Sequence, residues 1–255
     1  ELLRTDATTI VKSGSGQLNY QPNPAWEGSK PDGTASRIGS PGSPVAYNTI
    51  TTPRGGQYQV ILPDGTKVWL NSASQLRFPT RFTGGKRLVE LEGEAYLEVV
   101  TDAGRPFEVT INGTTVRVLG TSFNIMGYPE EKNLVATLVS GSVQVIRENT
   151  RATLQPGEHA VVAGDGRVQV KKANVEEEIA WKNGLIQYSR ASIQQIMRQV
   201  ARWYNVEVVY EGDMSNIDFA CAVSRRANVS ELLRILELTG AVHFHIEGNK
   251  ITVKL

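Results

Sequence analysis

Several things that this sequence lacks limit what the protein can do. Cys221 is the single cysteine, so no disulfide can form within the chain, and a small disulfide-stapled scaffold is excluded. The formal net charge is +1, so the electrostatic field of the whole chain is weak and gives no support for nucleic-acid binding. No Gly-x-Gly-x-x-Gly motif follows a predicted strand, and no Walker sequence is present. We therefore predict neither a nucleic-acid partner nor a cofactor.

Long apolar runs are absent as well. The longest, Phe219–Val223, has five residues, whereas a membrane-spanning helix needs about 20. The chain begins at Glu1 without the basic and then apolar pattern of a signal peptide, and we expect it to be part of a longer protein. Apolar residues make up 40% of the chain and charged residues 21%, which are the proportions of a globular protein with a substantial core.

The first 44 residues have a weak pattern. Residues 1–20 predict two short strands on either side of Ser13–Gly16. Residues 22–44 are dominated by proline, glycine and serine, and such a stretch cannot bury enough apolar surface to offset its ordering entropy. We predict that this stretch is a mobile loop.

From residue 47 to about residue 172 the pattern is that of one strand after another. Apolar and polar residues alternate, and Asp64-Gly65 and Asn112-Gly113 fall where tight hairpins need positive φ. No helix is predicted before residue 174. We predict a mainly β fold in which an all-β domain, a sandwich or a solenoid-like coil, spans residues 1–173.

After Asn174 the apolar period changes to 3.6 residues, as expected of helices. Ser192 and Gln195 form a candidate capping box for a helix that ends near Asn205, and a second helix follows Asn228 or Ser230. The order strand–helix–strand occurs at residues 184–210 and again at 218–246. We predict a connecting helix at 174–183, followed by a small duplicated βαβ domain at 184–255.

The acidic run in one predicted strand has two interpretations. Glu90, Glu92, Glu94 and Glu98 offer the paired carboxylates that glycoside hydrolysis needs. The same residues share one face of a strand, which is the pattern of a solvated sheet face, and this interpretation is the favoured one.

Other candidate groups also have a structural explanation that we favour. His243 and His245 have the spacing of two metal ligands, but Val242, Phe244 and Ile246 explain the alternation as core-facing residues. Cys221 in its apolar run is expected to be a buried small hydrophobe rather than a nucleophile. Trp203-Tyr204 is expected to pack a helix on a strand rather than stack on a ligand. No catalytic residue and no metal ligand are predicted.

The Arg54-Gly55-Gly56 tripeptide raises the question of RNA binding, because such tripeptides occur in tandem in RNA-binding tails. A single copy next to alternating strand residues indicates a strand entrance where glycine allows a bend. Asp64, which precedes Gly65, is likewise interpreted as a turn residue rather than a reactive carboxylate.

The exact residues of several separated segments are more specific than any of these patterns. They are YNTITTPRGGQYQVILPDGTKVWLNSAS, RLVELEGEAYLEV, VLGTSFNIMGY, GSVQV, LQPGEHAVV, EEIAWKNGLIQYSRASIQQIMRQVARWYNVEVVYEG and ELLRILELTG. In this order, over residues 45–255, the sequence resembles the FecR-type anti-sigma factors found in Bacteroidetes. Residues 1–20 resemble the preceding part of the same extracytoplasmic region.

The resemblance implies a single-pass inner-membrane regulator of transcription. In that family a cytoplasmic segment holds an extracytoplasmic-function sigma factor. The periplasmic region comprises a β-rich FecR domain and a C-terminal domain similar to the secretin and TonB short N-terminal (STN) domain. An N-terminal signalling domain of a TonB-dependent outer-membrane transporter contacts the regulator, and proteolysis of the regulator then changes sigma factor activity. This chain lacks the cytoplasmic segment and the membrane helix of the family pattern, so sigma factor binding is assigned to no residue here.

We therefore expect a non-enzymatic periplasmic signalling module that binds the transporter's signalling domain. One route is strand addition at an exposed sheet edge. We predict edges at two strands, and the partner-binding residues are Asp218, Phe219, Ala220, Cys221, Ala222, Lys250, Thr252 and Lys254. The alternative is a carbohydrate-binding or carbohydrate-active β domain, which needs an exposed aromatic platform or a carboxylate pair in a cleft.

Overall fold

A computed structural model describes residues 45–214 and 217–255, and of residues 1–44 it describes only the course of five short strands. These strands are β1 (Leu2–Thr5), β2 (Thr8–Lys12), β3 (Gln17–Pro22), β4 (Glu27–Ser29) and β5 (Ala35–Arg37). The two strands predicted in residues 1–20 correspond to β2 and β3, which pair antiparallel, and β1 pairs with β2. The mobile loop predicted at residues 22–44 lies outside the described residues, apart from β4, β5 and the end of β3.

Residues 45–172, hereafter the β region, form strand after strand, as the alternation predicts. The strands are β6 (Tyr47–Thr51), β7 (Tyr58–Ile61), β8 (Lys67–Leu70), β9 (Gln75–Pro79), β10 (Arg87–Glu98), β11 (Phe107–Ile111), β12 (Thr114–Val118), β13 (Ser122–Gly127), β14 (Asn133–Ser140), β15 (Val143–Arg147), β16 (Thr150–Leu154), β17 (Glu158–Ala163) and β18 (Val168–Lys172). No helix occurs among the described residues before residue 175.

Two sheets share the long strand β10. The first has the order β1-β2-β3-β7-β8-β10-β13-β14-β17-β18, and the second has the order β6-β9-β10-β11-β12-β15-β16. The pairs are antiparallel except β3–β7 and β10–β11, which are parallel. Side chains from both sheets, such as Leu70 and Phe123 from the first and Phe107 and Val145 from the second, belong to one buried core. The mainly β fold is confirmed, and the strands that pair through β10 enclose one common core.

Strand β10 passes from one sheet to the other at Gly93. Residues 87–92 pair with β9 and β11, and residues 93–98 pair with β8 and β13. Gly93 has a φ of +93°, and a Cβ atom placed on it would lie 2.4 Å from Ser74 Oγ and 2.8 Å from Ser74 Cα. Only glycine combines this φ with so close an approach.

The predicted turn at Asp64-Gly65 is present and has an additional role. Gly65 has a φ of +86° between the antiparallel strands β7 and β8. The Asp64 carboxylate accepts hydrogen bonds from the backbone N–H of Thr66 at 3.0 Å and from Nη1 of the buried Arg87 at 2.8 Å. The turn therefore supplies the counter-charge of a guanidinium inside the β region.

The chain then changes to a mixed α and β pattern. The elements are α1 (Val175–Glu178), β19 (Leu185–Ser192), α2 (Ile193–Tyr204), β20 (Glu207–Glu211), β21 (Asp218–Ser224), α3 (Val229–Glu237), β22 (His243–Glu247) and β23 (Lys250–Lys254). Ser192 caps α2 by accepting from Gln195 N–H, and Asn205 ends it in the left-handed conformation, as predicted. None of the helices in the described residues has the length and apolarity to span a membrane.

Residues 185–255, hereafter the C-terminal region, confirm the predicted order of elements, but the strands pair differently from a simple βαβ unit. Strands β19 and β21 pair antiparallel in one small sheet, and a second sheet has the order β20-β23-β22. The two strands of each repeat therefore lie in different sheets. Both sheets and both long helices contribute to one buried core that is separate from the core of the β region.

The crossing at Gly93 gives the first prediction. Gly93→Ala should lower the free energy of unfolding by about 3 kcal/mol. Alanine is strained at the φ of this position, and its methyl group would displace the backbone at Ser74. Urea unfolding followed by far-UV circular dichroism measures the change. Gly85→Ala is the matched control, since a Cβ atom there meets nothing within 4 Å. Equal stability of the two variants would contradict the role of Gly93.

Candidate functional site at the junction of the two regions

Arg225 is the central residue of the contact between the β region and the C-terminal region. It follows β21 and is only 4% exposed. Its Nη2 donates to Asn71 Oδ1 at 2.8 Å, and its Nη1 donates to Gln57 Oε1 at 3.4 Å and to the carbonyl of Trp181 at 3.3 Å. The guanidinium also lies 3.8 Å from the ring centroid of Trp203. One charged group therefore joins both regions and the segment that connects them.

A chain of buried hydrogen bonds continues from Arg225 into the β region. Asn71 Nδ2 donates to Glu94 Oε2 at 2.7 Å, and Asn124 Nδ2 donates to Glu94 Oε1 at 3.0 Å. Trp181 Nε1 donates to Asn124 Oδ1 at 3.1 Å. Each of these polar groups has a partner, as buried groups require. The connecting segment is thereby fixed to the outer face of β10 and β13.

A second set of contacts holds helix α2 to the loop after β13. Glu131 Oε1 accepts from Arg202 Nη1 at 3.0 Å, and Glu131 Oε2 accepts from Arg198 Nε at 2.8 Å. Arg202 Nη1 also donates to Glu130 Oε1 at 2.7 Å, and its guanidinium lies 3.9 Å from the ring centroid of Tyr128. We call Arg198, Arg202, Glu130 and Glu131 the clamp. Because Arg202 and Glu131 are largely buried, their pairing is screened less than a surface ion pair.

The Arg54-Gly55-Gly56 turn is the third contact between the regions. Gly55 N–H donates to the carbonyl of Arg202, in the last turn of α2, at 2.9 Å. Gly55 has a φ of +73°, and a Cβ atom on it would lie 3.2 Å from the carbonyl oxygen of Trp203. The glycine therefore lets the turn satisfy a carbonyl at the helix end. The tripeptide is indeed structural, but it acts between the regions as well as before a strand.

Burial sets the protonation of the charged groups at the junction. Burial raises the pKa of Glu94 above its ordinary value, although the amides of Asn124 and Asn71 and the charges of Arg202 and Arg225 act in the opposite direction. Burial lowers the pKa of Arg225 to about 10, so this guanidinium stays charged at neutral pH. A buried cation is thus placed near a carboxyl whose ionisation is opposed mainly by burial.

Beside the junction lies a groove of about 340 Å³ between helix α2 and strand β20. Strand β20 is an edge strand, since within the described residues it pairs only with β23. Tyr210 is partly exposed, and Arg54 has no ion-pair or hydrogen-bond partner among the described residues. The side chains that line the groove are Arg54, Met197, Arg198, Ala201, Asn205, Val206, Glu207, Val208, Tyr210 and Asn249.

The predicted partner-binding residues lie on two strands, of which one is at the edge of its sheet and the other is at the centre of its sheet. Strand β21 is an edge, as predicted, because it pairs only with β19 among the described residues. Asp218, Ala220 and Ala222 are exposed on it, whereas Phe219 and Cys221 are buried in the core. Asp218 accepts from Arg190 Nε at 2.6 Å. Binding of a partner by this strand stays a prediction.

The edge assignment of the last strand is wrong. Strand β23 is the central strand of its sheet, with β20 parallel on one side and β22 antiparallel on the other. Its backbone is therefore already paired on both sides and cannot accept an added strand. Only the side chains of Lys250 and Lys254, which are exposed, and Thr252, which is half-buried, remain accessible.

The favoured interpretation of the acidic run, a solvated sheet face, is wrong at one position. Glu90 and Glu92 are exposed, but Glu94 is only 7% exposed. The face that they share is covered from Glu94 onward by the connecting segment, where Lys182 Nζ lies 4.3 Å from the ring centroid of Tyr96. The face is solvated along one half of β10 and is part of the junction along the other half.

Three other interpretations can be compared with the structure. Cys221 is buried, as predicted, and burial raises the pKa of its thiol to about 11. Ile246, expected to face the core, is 44% exposed, because the buried cluster reaches only as far as Phe244 on β22. His243 and His245 are both exposed. In the described part of the chain, no three His, Cys, Asp or Glu side chains are placed to hold a metal ion.

The sequence patterns missed Arg225, Asn71, Asn124 and the clamp. Arg225 and Asn71 are 154 positions apart, so no local period relates them. One signal was available at Arg225, because it continues the two-residue period of the buried positions Phe219, Cys221 and Val223 of strand β21.

The junction gives the second prediction. Arg225→Met should lower the free energy of unfolding by about 3 kcal/mol, because it leaves Asn71 and Glu94 buried without their cation. Urea unfolding of the whole chain, followed by tryptophan fluorescence, measures the loss. Arg226→Met, at the exposed neighbouring position, should change stability by less than about 0.5 kcal/mol. An equal effect of the two substitutions would show that Arg225 has no special role.

The third prediction concerns pH. Because the folded-state pKa of Glu94 is raised above the ordinary value of 4.5, the contribution of this carboxyl to stability is fully present below that pH. It declines as the pH rises through the folded-state pKa. The stability of Glu94→Gln relative to the unchanged protein, measured in urea titrations, should therefore improve as the pH rises above 4.5. A difference that is constant with pH would contradict this expectation.

Comparison with known proteins agrees with this architecture. A family model described as "FecR protein" matches residues 48–144, and one described as "FecR, C-terminal" matches residues 186–253. A 2.50 Å crystal structure from Parabacteroides distasonis ATCC 8503, described as an anti-sigma factor, has 29% identity and a TM-score of 0.77 over 82% of this chain and 99% of that chain.

A second structure so described, from the same organism at 1.65 Å, has 30% identity and a TM-score of 0.74. That match covers 81% of this chain and 98% of the other. No curated protein matches the chain significantly. The two family models together include Asn71, Glu94, Asn124 and Arg225 of the junction, and Trp181 lies between the two matched ranges. The chain belongs to the FecR family of anti-sigma factors.

Proposed function

We propose that this chain is the periplasmic sensing region of a single-pass inner-membrane anti-sigma factor. In this proposal it receives a signal from the N-terminal domain of a TonB-dependent outer-membrane transporter and controls an extracytoplasmic-function sigma factor. Membership of the FecR family gives the chain a regulatory sensing role. The transporter, the sigma factor and the periplasmic location are the parts that we add. The signal passes by docking and needs no reaction.

The groove between α2 and β20 is the observation that carries this proposal. An edge strand offers unpaired backbone N–H and C=O groups, and an extended segment of a partner can pair with them. The adjacent helix surface at Ala201 offers apolar contact, and Val208 and Tyr210 offer more from the strand. An edge strand beside a helix surface is the arrangement that strand addition uses for affinity and specificity.

The position of the groove explains how docking would reach the rest of the molecule. One wall is helix α2, whose Arg198 and Arg202 form half of the clamp. Arg54 comes from the turn whose Gly55 bonds to the end of the same helix. A partner in the groove would therefore contact both regions at once. Its binding would favour one arrangement of the regions over others.

Binding to the receptor's signalling domain is the fourth prediction. The whole chain should bind an isolated signalling domain of a TonB-dependent transporter, and isothermal titration calorimetry measures the affinity. We expect the interface to bury about 1,600 Å² in total. Ala201→Glu fills the groove with a charged side chain and should weaken binding at least tenfold. No binding to any such domain would overturn the proposed function.

A matched variant tests whether the docking surface is the groove or the edge strand β21, which was predicted from the sequence. Ala222→Glu places the same side chain on the exposed face of β21 and should change affinity less than twofold. Circular dichroism of both variants checks that each is folded. If Ala222→Glu weakens binding and Ala201→Glu does not, the docking surface is β21 and the groove placement is wrong.

A further inference from the structure

We propose that a second cavity, in the β region, binds a small anion that carries a carboxylate or phosphate group. The cavity has a volume of about 230 Å³ and lies between the hairpin at residues 112–114, the loop at 128–134 and the turn at 162–164. Its polar lining side chains include Asn112, Thr114, Lys132, Asn133 and Arg147. None of these residues lines the groove beside α2. The inference is independent of docking to a receptor.

Two buried polar atoms at this cavity have no hydrogen-bond partner among the described residues. One is Nε of Arg147, and the other is the hydroxyl oxygen of Thr114, a residue that is only 1% exposed. The two residues are directly opposite each other on the paired strands β12 and β15. A buried donor without a partner costs about 1–3 kcal/mol. Both atoms are closed off from solvent, so an oxyanion in the cavity would accept from them, and remove this penalty, once the two side chains turn toward it.

The hairpin holds the guanidinium of Arg147 in place. Arg147 Nη1 donates to the carbonyl oxygen of Asn112. A Cβ atom on Gly113 would lie 2.6 Å from that Nη1, and Gly113 has a φ of +72°. The glycine therefore both makes the tight turn and leaves room for the arginine to lie across it. A guanidinium fixed on one side keeps its remaining N–H groups available for a planar or tetrahedral oxyanion.

The charge around the cavity favours an anion. Arg147 and Lys132 are both cationic, and Lys132 is exposed at the rim. Glu131 is the single carboxylate in the lining, and both its oxygens accept hydrogen bonds from the clamp arginines Arg198 and Arg202. Its negative charge is thus compensated from the other side. The volume fits a small molecule rather than a polymer.

The loop that lines this cavity is the loop that carries the clamp. Tyr128 contributes to the cavity wall and lies under the guanidinium of Arg202. Lys132 lines the cavity, while Glu131, the residue before it, holds α2. An anion that draws Lys132 toward Arg147 would restrain the loop, and it would do so directly behind the acidic half of the clamp.

The test is a titration of the whole chain with sodium phosphate and, separately, with sodium acetate, at constant ionic strength. Amide chemical shifts in NMR are the readout. We expect saturable shifts at residues 112–114, 131–133 and 162–166, with dissociation constants in the millimolar range. Saturation by phosphate alone or by acetate alone would support the site and identify the anion geometry.

Variants decide whether the cavity is responsible. Arg147→Gln should weaken binding at least tenfold, and Arg151→Gln, an exposed arginine on the neighbouring strand β16, should leave it unchanged. Lys132→Gln, at the exposed rim, should weaken binding at least threefold and serves where Arg147→Gln does not fold. Shifts that do not saturate, or that persist unchanged in Lys132→Gln and Arg147→Gln, would overturn the proposal.

Discussion

The interaction on which the arrangement of this molecule depends is the buried link from the guanidinium of Arg225 through Asn71 to the carboxyl of Glu94. A charge that is removed from water requires a partner at the correct distance. Arg225 comes from the C-terminal region, and Asn71 and Glu94 come from the β region. Each region therefore supplies hydrogen-bond partners to the other, and the connecting segment with Trp181 also takes part.

Such a link gives geometric definition more than it gives net stability. The desolvation of the buried guanidinium offsets most of the favourable energy of its contacts, whereas the loss of one partner is costly. The two regions have separate apolar cores, so their relative position rests on polar contacts with strict geometry. The clamp and the turn at Gly55 add further contacts of the same kind along α2. For a regulator, contacts of this kind allow discrete arrangements rather than gradual sliding.

Local sequence signals predicted much of the fold. The alternation of apolar residues, the hairpin glycines and the caps at Ser192 and Asn205 act over a few positions, and the structure has them as expected. The burial of Glu94 was missed because a distant segment covers half of its strand face. The central position of β23 was missed because it depends on parallel pairing with β20, some forty residues earlier in the chain. The junction consists almost wholly of such long-range contacts.

The central position of β23 also has a consequence for how the molecule is made. Strand β20 has no neighbour in its sheet until the chain has been synthesised through Lys250–Lys254, which supplies the parallel partner. Parallel pairing across some forty residues requires a costly loop closure, so this sheet is expected to form late in folding. A partner that docks on β20, as proposed, would therefore meet an ordered edge strand only after β23 has paired with it.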